Sequence, residues 1–331
     1  MKTFLHIGLH KTGTTYLQKQ VFPRIPGITY IGRPYTQDNF VFNTLQYADD
    51  TFFDPKCLDL EMSTINRYAS GGAAVLISDE NLCGFPFYNY INREMIARRL
   101  ARVVPDAEVI VFLRNQSQLI HSLYNQYVKI NWYSDALDGR FLSAPGTGAS
   151  LQDWLQGDLA LRADTRYIQN QAKFNVEHLR YSRLLDLYQK YFARVHVFLY
   201  EDFKDDNVVL LRALSEVLGV EIPSVSGHGS KNQSLSERQL HRRLVLNRLT
   251  RISSRFESPL GLVVARALSP LFPKNAPNDR AHVNSILRSA DIAKDNKSVD
   301  AIWKCGMSRH APLYFSNQAE YQPSLSGDDS S

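Results

Sequence analysis

The sequence predicts an α/β fold in which a central parallel sheet is flanked by helices, with a helical C-terminal part. Three observations predict it. The runs 73–77 and 109–113 are apolar at every position, as expected of strands covered on both faces. Segments of helical periodicity stand between the apolar runs, the alternation that βαβ units require. The composition, 44% hydrophobic and 21% charged over 331 residues, is that of a globular chain with a sizeable core.

Taken in order, residues 4–8 form a first strand that ends in a glycine-bearing turn, His10-Lys11-Thr12-Gly13-Thr14-Thr15. A helix then runs through Tyr16, Leu17 and Val21 to Pro23, and 28–31 is a short second strand. Residues 33–70 have no clean period. After the strand at 73–77, the segment 92–104 is helical and is closed by Pro105. The strand 109–113 ends in Arg114 and Asn115, and a helix follows through Leu119, Leu123 and Tyr127. Gly, Ser, Ala and Pro crowd 134–150, which reads as a long loop, functional or mobile rather than idle. Val176, Leu179, Leu184, Leu187 and Tyr191 are spaced as one helix, followed by a strand at 195–200. A helix over 207–218 closes at Gly219, in the usual position past a helix end. The stripe Val245, Leu249, Ile252, Phe256 carries Arg248, Arg251 and Arg255 on its flanks, and reads as a solvated basic helix face. One domain is expected over 1–305, its C-terminal helical part beginning near 236, with an irregular tail at 306–331.

Several function classes drop out. No stretch approaches 18 consecutive apolar residues, so no membrane-spanning helix is expected. The opening MKTFLHIGLHKTGTT lacks the long apolar centre of a secretory signal. Cys57, Cys83 and Cys305 are too few and too scattered for a disulfide framework, which fits a reducing, cytoplasmic setting. No Cys-x-x-Cys or His-Glu-x-x-His spacing points to a metal, and His6 and His10 lie on strand and turn rather than on one helix face. The formal charge of +5 suits an anionic small ligand as readily as a nucleic acid and decides nothing alone. No aromatic-interleaved basic stretch or reader motif accompanies the face of Arg248, Arg251 and Arg255, so nucleic acid is not expected as a partner.

The sharpest feature is strand, then Gly8-Leu9-His10-Lys11-Thr12-Gly13-Thr14-Thr15, then helix. The start of a helix presents unpaired N–H groups and partial positive charge. Gly13 lets the backbone approach a ligand, Thr14 and Thr15 add hydroxyls, and Lys11 adds a full charge: an anion cradle. The nucleotide-hydrolase loop has the form G-x-x-x-x-G-K-[ST]. Gly8 and Gly13 keep that spacing, but Thr14 stands where the lysine belongs, and Lys11 precedes the second glycine by two places.

The run His10-Lys11-Thr12-Gly13-Thr14-Thr15 after an N-terminal strand resembles the 5′-phosphosulfate loop of the sulfotransferases, which use 3′-phosphoadenylyl sulfate (PAPS) as donor. A second island resembles the family's 3′-phosphate motif: a strand ending in Arg114, with Ser122 eight residues later on a helix. Gln116 replaces the family's usual proline there. The run Tyr200-Glu201-Asp202-Phe203, read as the end of a late strand, is a third echo. The resemblance covers roughly residues 1–235, in these islands. It implies a P-loop-like three-layer fold, PAPS as co-substrate with no metal required, and two anion sites separated by an adenosine. Lys11, Thr12, Gly13, Thr14, Thr15, Arg114 and Ser122 are then the donor contacts, and Lys231 belongs to a basic loop closing over the nucleotide.

Sulfuryl transfer to a hydroxyl needs alignment, charge stabilisation and a base. By the resemblance, Lys11 neutralises the leaving phosphate oxygen. The run Ile77-Ser78-Asp79-Glu80-Asn81-Leu82 ends another buried strand and aims carboxylates at the same crevice. Glu80 is the first candidate for the base and His10 the rival. The expected acceptor is a glycan, a glycolipid or another small hydroxylated molecule. Two other readings stand beside this one: a P-loop phosphotransferase using a nucleoside triphosphate and magnesium, and a non-catalytic module that binds sulfated or phosphorylated ligands.

Overall fold

The computed structural model describes residues 2–33, 45–46, 48–51, 53–58, 63, 74–86, 89–130, 151–156, 174–223, 235–252, 259–271 and 280–315. Five strands form one sheet: β1 (Lys2–Gly8), β2 (Ile28–Gly32), β3 (Ala74–Ser78), β4 (Glu108–Leu113) and β5 (Arg194–Leu199). Their spatial order is β2-β3-β1-β4-β5, and every pairing is parallel. All residues of β3 and β4 are buried, as the apolar runs require.

Alternation along the strands supplies two cores, one for each face. Phe4, Leu76, Ile110 and Phe112 face one way. They pack on Leu17, Val21 and Phe22, which follow the glycine turn, and on Leu210, Leu214 and Leu218. Leu5, Ile7, Val75, Ile77, Val109 and Val111 face the other way. They meet Ile96 and Leu100 of helix α1 (Arg93–Val103), Leu119 and Leu123 of α2 (Gln116–Ile130), and Leu184 and Tyr188 of α3 (Tyr181–Tyr191). The result is the three-layer α/β arrangement expected. Helix α4 (Asn207–Leu218) starts on Asp206, whose carboxylate accepts the N–H groups of Val208 and Val209, and stops at Gly219 with φ 70°. Such an acidic cap is worth about 1 kcal/mol. Helices α5 (Glu237–Ile252), α6 (Pro259–Leu268), α7 (Arg280–Ser289) and α8 (Ile292–Trp303) make the C-terminal part helical.

Three expectations change. The continuous helix read from Val176 to Tyr191 is two pieces: a 3-10 turn (Val176–Leu179), then α3, with Arg180 extended between them at ψ 100°. Asn175 caps the first piece by accepting the N–H of Glu177, which fixes a break that periodicity does not register. The last strand ends at Leu199, and the run from Tyr200 opens a short helix (Tyr200–Asp205) instead of closing the strand. The tail read as irregular from 306 is folded over its first ten residues. Met307–His310 is a 3-10 turn, Ala311–Tyr314 is helical, and Met307 and Tyr314 are buried. Apolar residues too few to set a period still fill a gap in the core. Loop 134–150 and most of 33–70 lie outside the described residues.

Candidate functional site

The sheet order decides where the site lies. From β1 the chain crosses to one side to build β2 and β3, then to the other side for β4 and β5. Ligands of parallel α/β sheets bind beyond the carboxyl ends of the strands, where the order reverses. Here that point is the end of β1, with β3 and β4 as its neighbours. Adjacent strands lie about 4.8 Å apart, so the turn after β1, the Asp79-Glu80 end of β3 and the Arg114 end of β4 must converge.

The turn is shaped by its glycines. Gly8 has φ 84°, and a Cβ there would lie 3.0 Å from Cα and Cβ of Glu80. Gly13 has φ 83°, and its Cβ would lie 3.1 Å from the Phe203 ring. Both positions therefore need glycine for conformation and for close approach. Lys11 is left-handed as well, at φ 65°. Thr12 Oγ1 donates to the Leu9 carbonyl at 2.6 Å, which turns that hydroxyl into the loop and away from a ligand. Thr14–Tyr16 starts as an α-helix and Leu17–Val21 widens into a π turn. Thr14 and Thr15 open the helical turn, so their N–H groups are among those that a helix start leaves without intrahelical partners.

Glu80 sits on its rim. Thr14 Oγ1 donates to Glu80 Oε2 at 2.5 Å, and Arg33, at the end of β2, lies 3.5 Å from Oε1. Burial works to raise the Glu80 carboxyl, but the attraction of a protonated His10 at acid pH, the Thr14 bond, Arg33 and Lys11 outweigh it and hold it below the usual carboxylate range. Its neighbour Asp79 behaves in the opposite way. Asp79 caps the turn Glu80–Cys83 by accepting the Asn81 N–H at 2.9 Å. It also accepts from Gln46 Nε2. Burial pushes it up to about 6 in spite of Arg33. A raised folded-state value means stability that is present below about 3.8 and lost as pH rises through about 6. Denaturant unfolding at pH 4.5 and 7 is therefore expected to show a loss of stability in the wild type that is absent in Asp79→Asn. An equal loss in both proteins would assign it to other groups.

His10 is buried, and its Nε2 hydrogen-bonds Asn81 Oδ1 at 3.1 Å. Burial lowers its pKa below 6.5 against the pull of Glu80, so the ring is neutral at pH 7. Because Asn81 Oδ1 only accepts, Nε2 carries the proton, and Nδ1 keeps a lone pair that no described residue meets.

Lys11 Nζ donates to Gln126 Oε1 of α2 at 3.4 Å. Burial, together with Arg114 and Lys129, draws its pKa below the ordinary lysine range, against Glu80. Gln126 stands one helical turn past Ser122, so the half-buried Ser122 is on the face of α2 that Lys11 meets. Arg114 reaches the turn directly: its Nη1 donates to the Lys11 carbonyl at 2.7 Å, and its guanidinium lies 4.4 Å over the Tyr200 ring. Arg114 is thus tied to the Lys11 turn, because β1 and β4 are neighbours. Its buried Nε has no partner among the described residues.

No protein-family model matches the chain, and no curated protein matches it in sequence. Among solved structures, the chain is similar to a sulfotransferase from Alicyclobacillus acidocaldarius, with 19% identity and a TM-score of 0.41 over 74% of this chain and 90% of that one.

What the cradle can hold follows from its own groups. The N–H donors of a helix start, an ammonium and a guanidinium meet at one end of the crevice, with a carboxylate on the rim. That combination fits a ligand carrying an anionic group, with a base beside it. Among the described residues, no group of three or more His, Cys, Asp or Glu side chains is arranged to hold a metal ion.

Of the residues singled out from sequence, Lys11, Thr12, Gly13, Thr14, His10, Glu80 and Arg114 share this crevice. Thr15 is exposed on the helical turn, and Ser122 lies on the adjoining helix face. Lys231 lies outside the described residues. Sequence reasoning missed Arg33, which stands at the edge of a stretch without periodicity. It missed Gln126, although an i+4 step from Ser122 points to it. It also missed Tyr200 and Phe203 as packing partners of Arg114 and Gly13. The run that contains both was noticed, but a strand reading hides their role.

Proposed function

We propose that this protein is a sulfotransferase that moves a sulfuryl group from PAPS to a hydroxyl or amine of an acceptor glycan, glycolipid or other small hydroxylated molecule. The observation that carries this reading is the meeting of Lys11, Arg114 and Glu80 at the ends of three adjacent strands around the glycine turn. The N–H groups of Thr14 and Thr15, at the start of the helical turn, donate to a phosphate of the donor. Arg114 and Ser122 serve the donor's 3′-phosphate. Lys11 leaves Gln126 to neutralise the leaving oxygen as the bond from sulfur to that oxygen breaks. Glu80, held ionised, takes the acceptor's proton as the new bond to sulfur forms. His10, neutral and with a free Nδ1 lone pair, is the second choice of base. Cys83 and Cys305 are buried free thiols, which supports a reducing compartment, the cytoplasm.

A phosphotransferase using a nucleoside triphosphate and magnesium is disfavoured by Thr14. It replaces the lysine of that loop, and its hydroxyl is engaged by Glu80. Titration with adenosine 3′,5′-bisphosphate and with ATP-Mg separates the two. The bisphosphate is expected to bind at least tenfold more tightly, and preference for ATP-Mg would refute the proposal. Transfer of labelled sulfate from PAPS across acceptor panels tests catalysis. Intact donor binding with no transfer to any acceptor would favour a binding module.

A further inference from the structure

The segment that closes the described chain, 306–315, is built into the back of the crevice. Asn115 Nδ2 donates to the Leu313 carbonyl at 2.5 Å. Asn296 of α8 and Gln116 exchange amide bonds of 2.6 and 3.1 Å, and Asn296 also donates to the Tyr314 carbonyl at 3.0 Å. Tyr314 Oη donates to Glu201 Oε2 at 2.5 Å, and Glu201 Oε1 accepts the Asn115 N–H at 2.9 Å. Arg309 and His310 both reach Asp202. Asn115, Gln116, Glu201, Asn296 and Tyr314 are all buried.

Three consecutive residues after β5 thus face three tasks. Tyr200 carries the Arg114 guanidinium, Glu201 joins Tyr314 to the Asn115 backbone, and Asp202 holds Arg309 and His310. The Glu201 carboxylate is the pivot. It ties the end of β4 to the start of the Tyr200 helix, so it sets the spacing between Arg114 and the ring beneath it. Removing one donor from a buried carboxylate leaves it under-satisfied, which loosens such a pivot without unfolding the chain.

We infer that the C-terminal strap around Tyr314 is a positioning device that, through Glu201, orients Arg114 toward an anionic ligand in the crevice. Tyr314 and Glu201 are positioning residues and touch no ligand themselves. Gln116 fits this role: its amide is needed to dock α8, which a proline at that position could not do. The inference deepens the sulfotransferase reading and rests on it for the identity of the ligand.

The test is calorimetric titration of the full chain with adenosine 3′,5′-bisphosphate, with hydrogen exchange at the amides of 114–116 measured alongside. Tyr314→Phe is expected to weaken binding three- to tenfold, the worth of one lost hydrogen bond at the pivot, and to speed exchange at Asn115. Added to Arg114→Lys, the same change should cost little more, because both act through one guanidinium. Leu218→Ala, in the core under the opposite face of the sheet, should lower the melting temperature and leave affinity unchanged. Wild-type affinity in Tyr314→Phe, or losses that add fully in the double variant, would overturn the inference. If the wild type does not bind the bisphosphate, the sulfotransferase reading fails; the exchange rates then decide the strap, and unchanged protection at Asn115 would refute it.

Discussion

Glu80→Gln is expected to lower sulfuryl transfer by a factor of about 10² to 10⁴, the usual worth of a positioned general base. The substitution is nearly isosteric. Gln can still accept the Thr14 hydroxyl now bonded to Oε2, and the packing of residue 80 against Gly8 is unchanged. What disappears is the ability to take a proton. Donor affinity should stay level or improve, since a negative charge is removed from beside Lys11 and Arg33 in a crevice that must accept a polyanion. A structural role for Glu80 as counter-ion to Arg33 predicts the opposite: lower stability with turnover preserved. Steady-state rates, bisphosphate titration and a melting curve on one preparation separate the two. Full activity in the variant would move the base to His10, whose Nδ1 is the other free acceptor nearby. The pH profile adds a check. Because Glu80 is held below the ordinary carboxylate range, the acid limb of the wild-type rate should lie below that range as well. Arg33→Ala removes one of the groups that hold it down, and should move that limb upward.

How much of this was legible without coordinates follows from what each signal depends on. The strands β3 and β4 were readable because burial on both faces leaves 74–77 and 109–113 apolar at every position, with Ser78 and Glu108 only at their ends. The cradle was readable because its glycines, lysine and threonines are contiguous, and their chemistry is local. Strand order is not local. Only the order β2-β3-β1-β4-β5 reveals that the ends of β3 and β4 flank the same turn. Arg114 could be assigned to the same cleft from its place at a strand end, but its bond to the Lys11 carbonyl could not be read without that order. Arg33 illustrates the same limit, since it reaches Glu80 across 47 positions of sequence in a stretch with no periodicity. The folded start of the tail was illegible for another reason. Tyr314 is buried by a single hydroxyl bond and a few neighbours, and one buried aromatic in a polar terminus makes no pattern.

Lys11→Ala is expected to slow transfer by about tenfold to more than a hundredfold. This equals the loss of one hydrogen bond from a charged donor, roughly 1.5–3 kcal/mol, if it is made mainly in the transition state. The geometry favours such a late contact. In the resting structure Nζ is held by Gln126 at 3.4 Å, a long and weak bond that is easily exchanged for a developing oxyanion. The turn itself should survive, because Arg114 bonds the carbonyl of residue 11 and not its side chain. Bisphosphate affinity should therefore fall far less than turnover. A lysine that merely anchored the nucleotide would give the reverse split, with affinity lost and turnover at saturation kept. The pH profile carries the second signature. Burial, Arg114 and Lys129 draw Lys11 below the ordinary lysine range, so the wild-type rate should decline on its alkaline limb before an ordinary lysine would titrate. That limb should be missing in the variant. Unaltered kinetics together with an unaltered alkaline limb would remove Lys11 from the chemistry and leave charge neutralisation to Arg114 and the backbone of the turn.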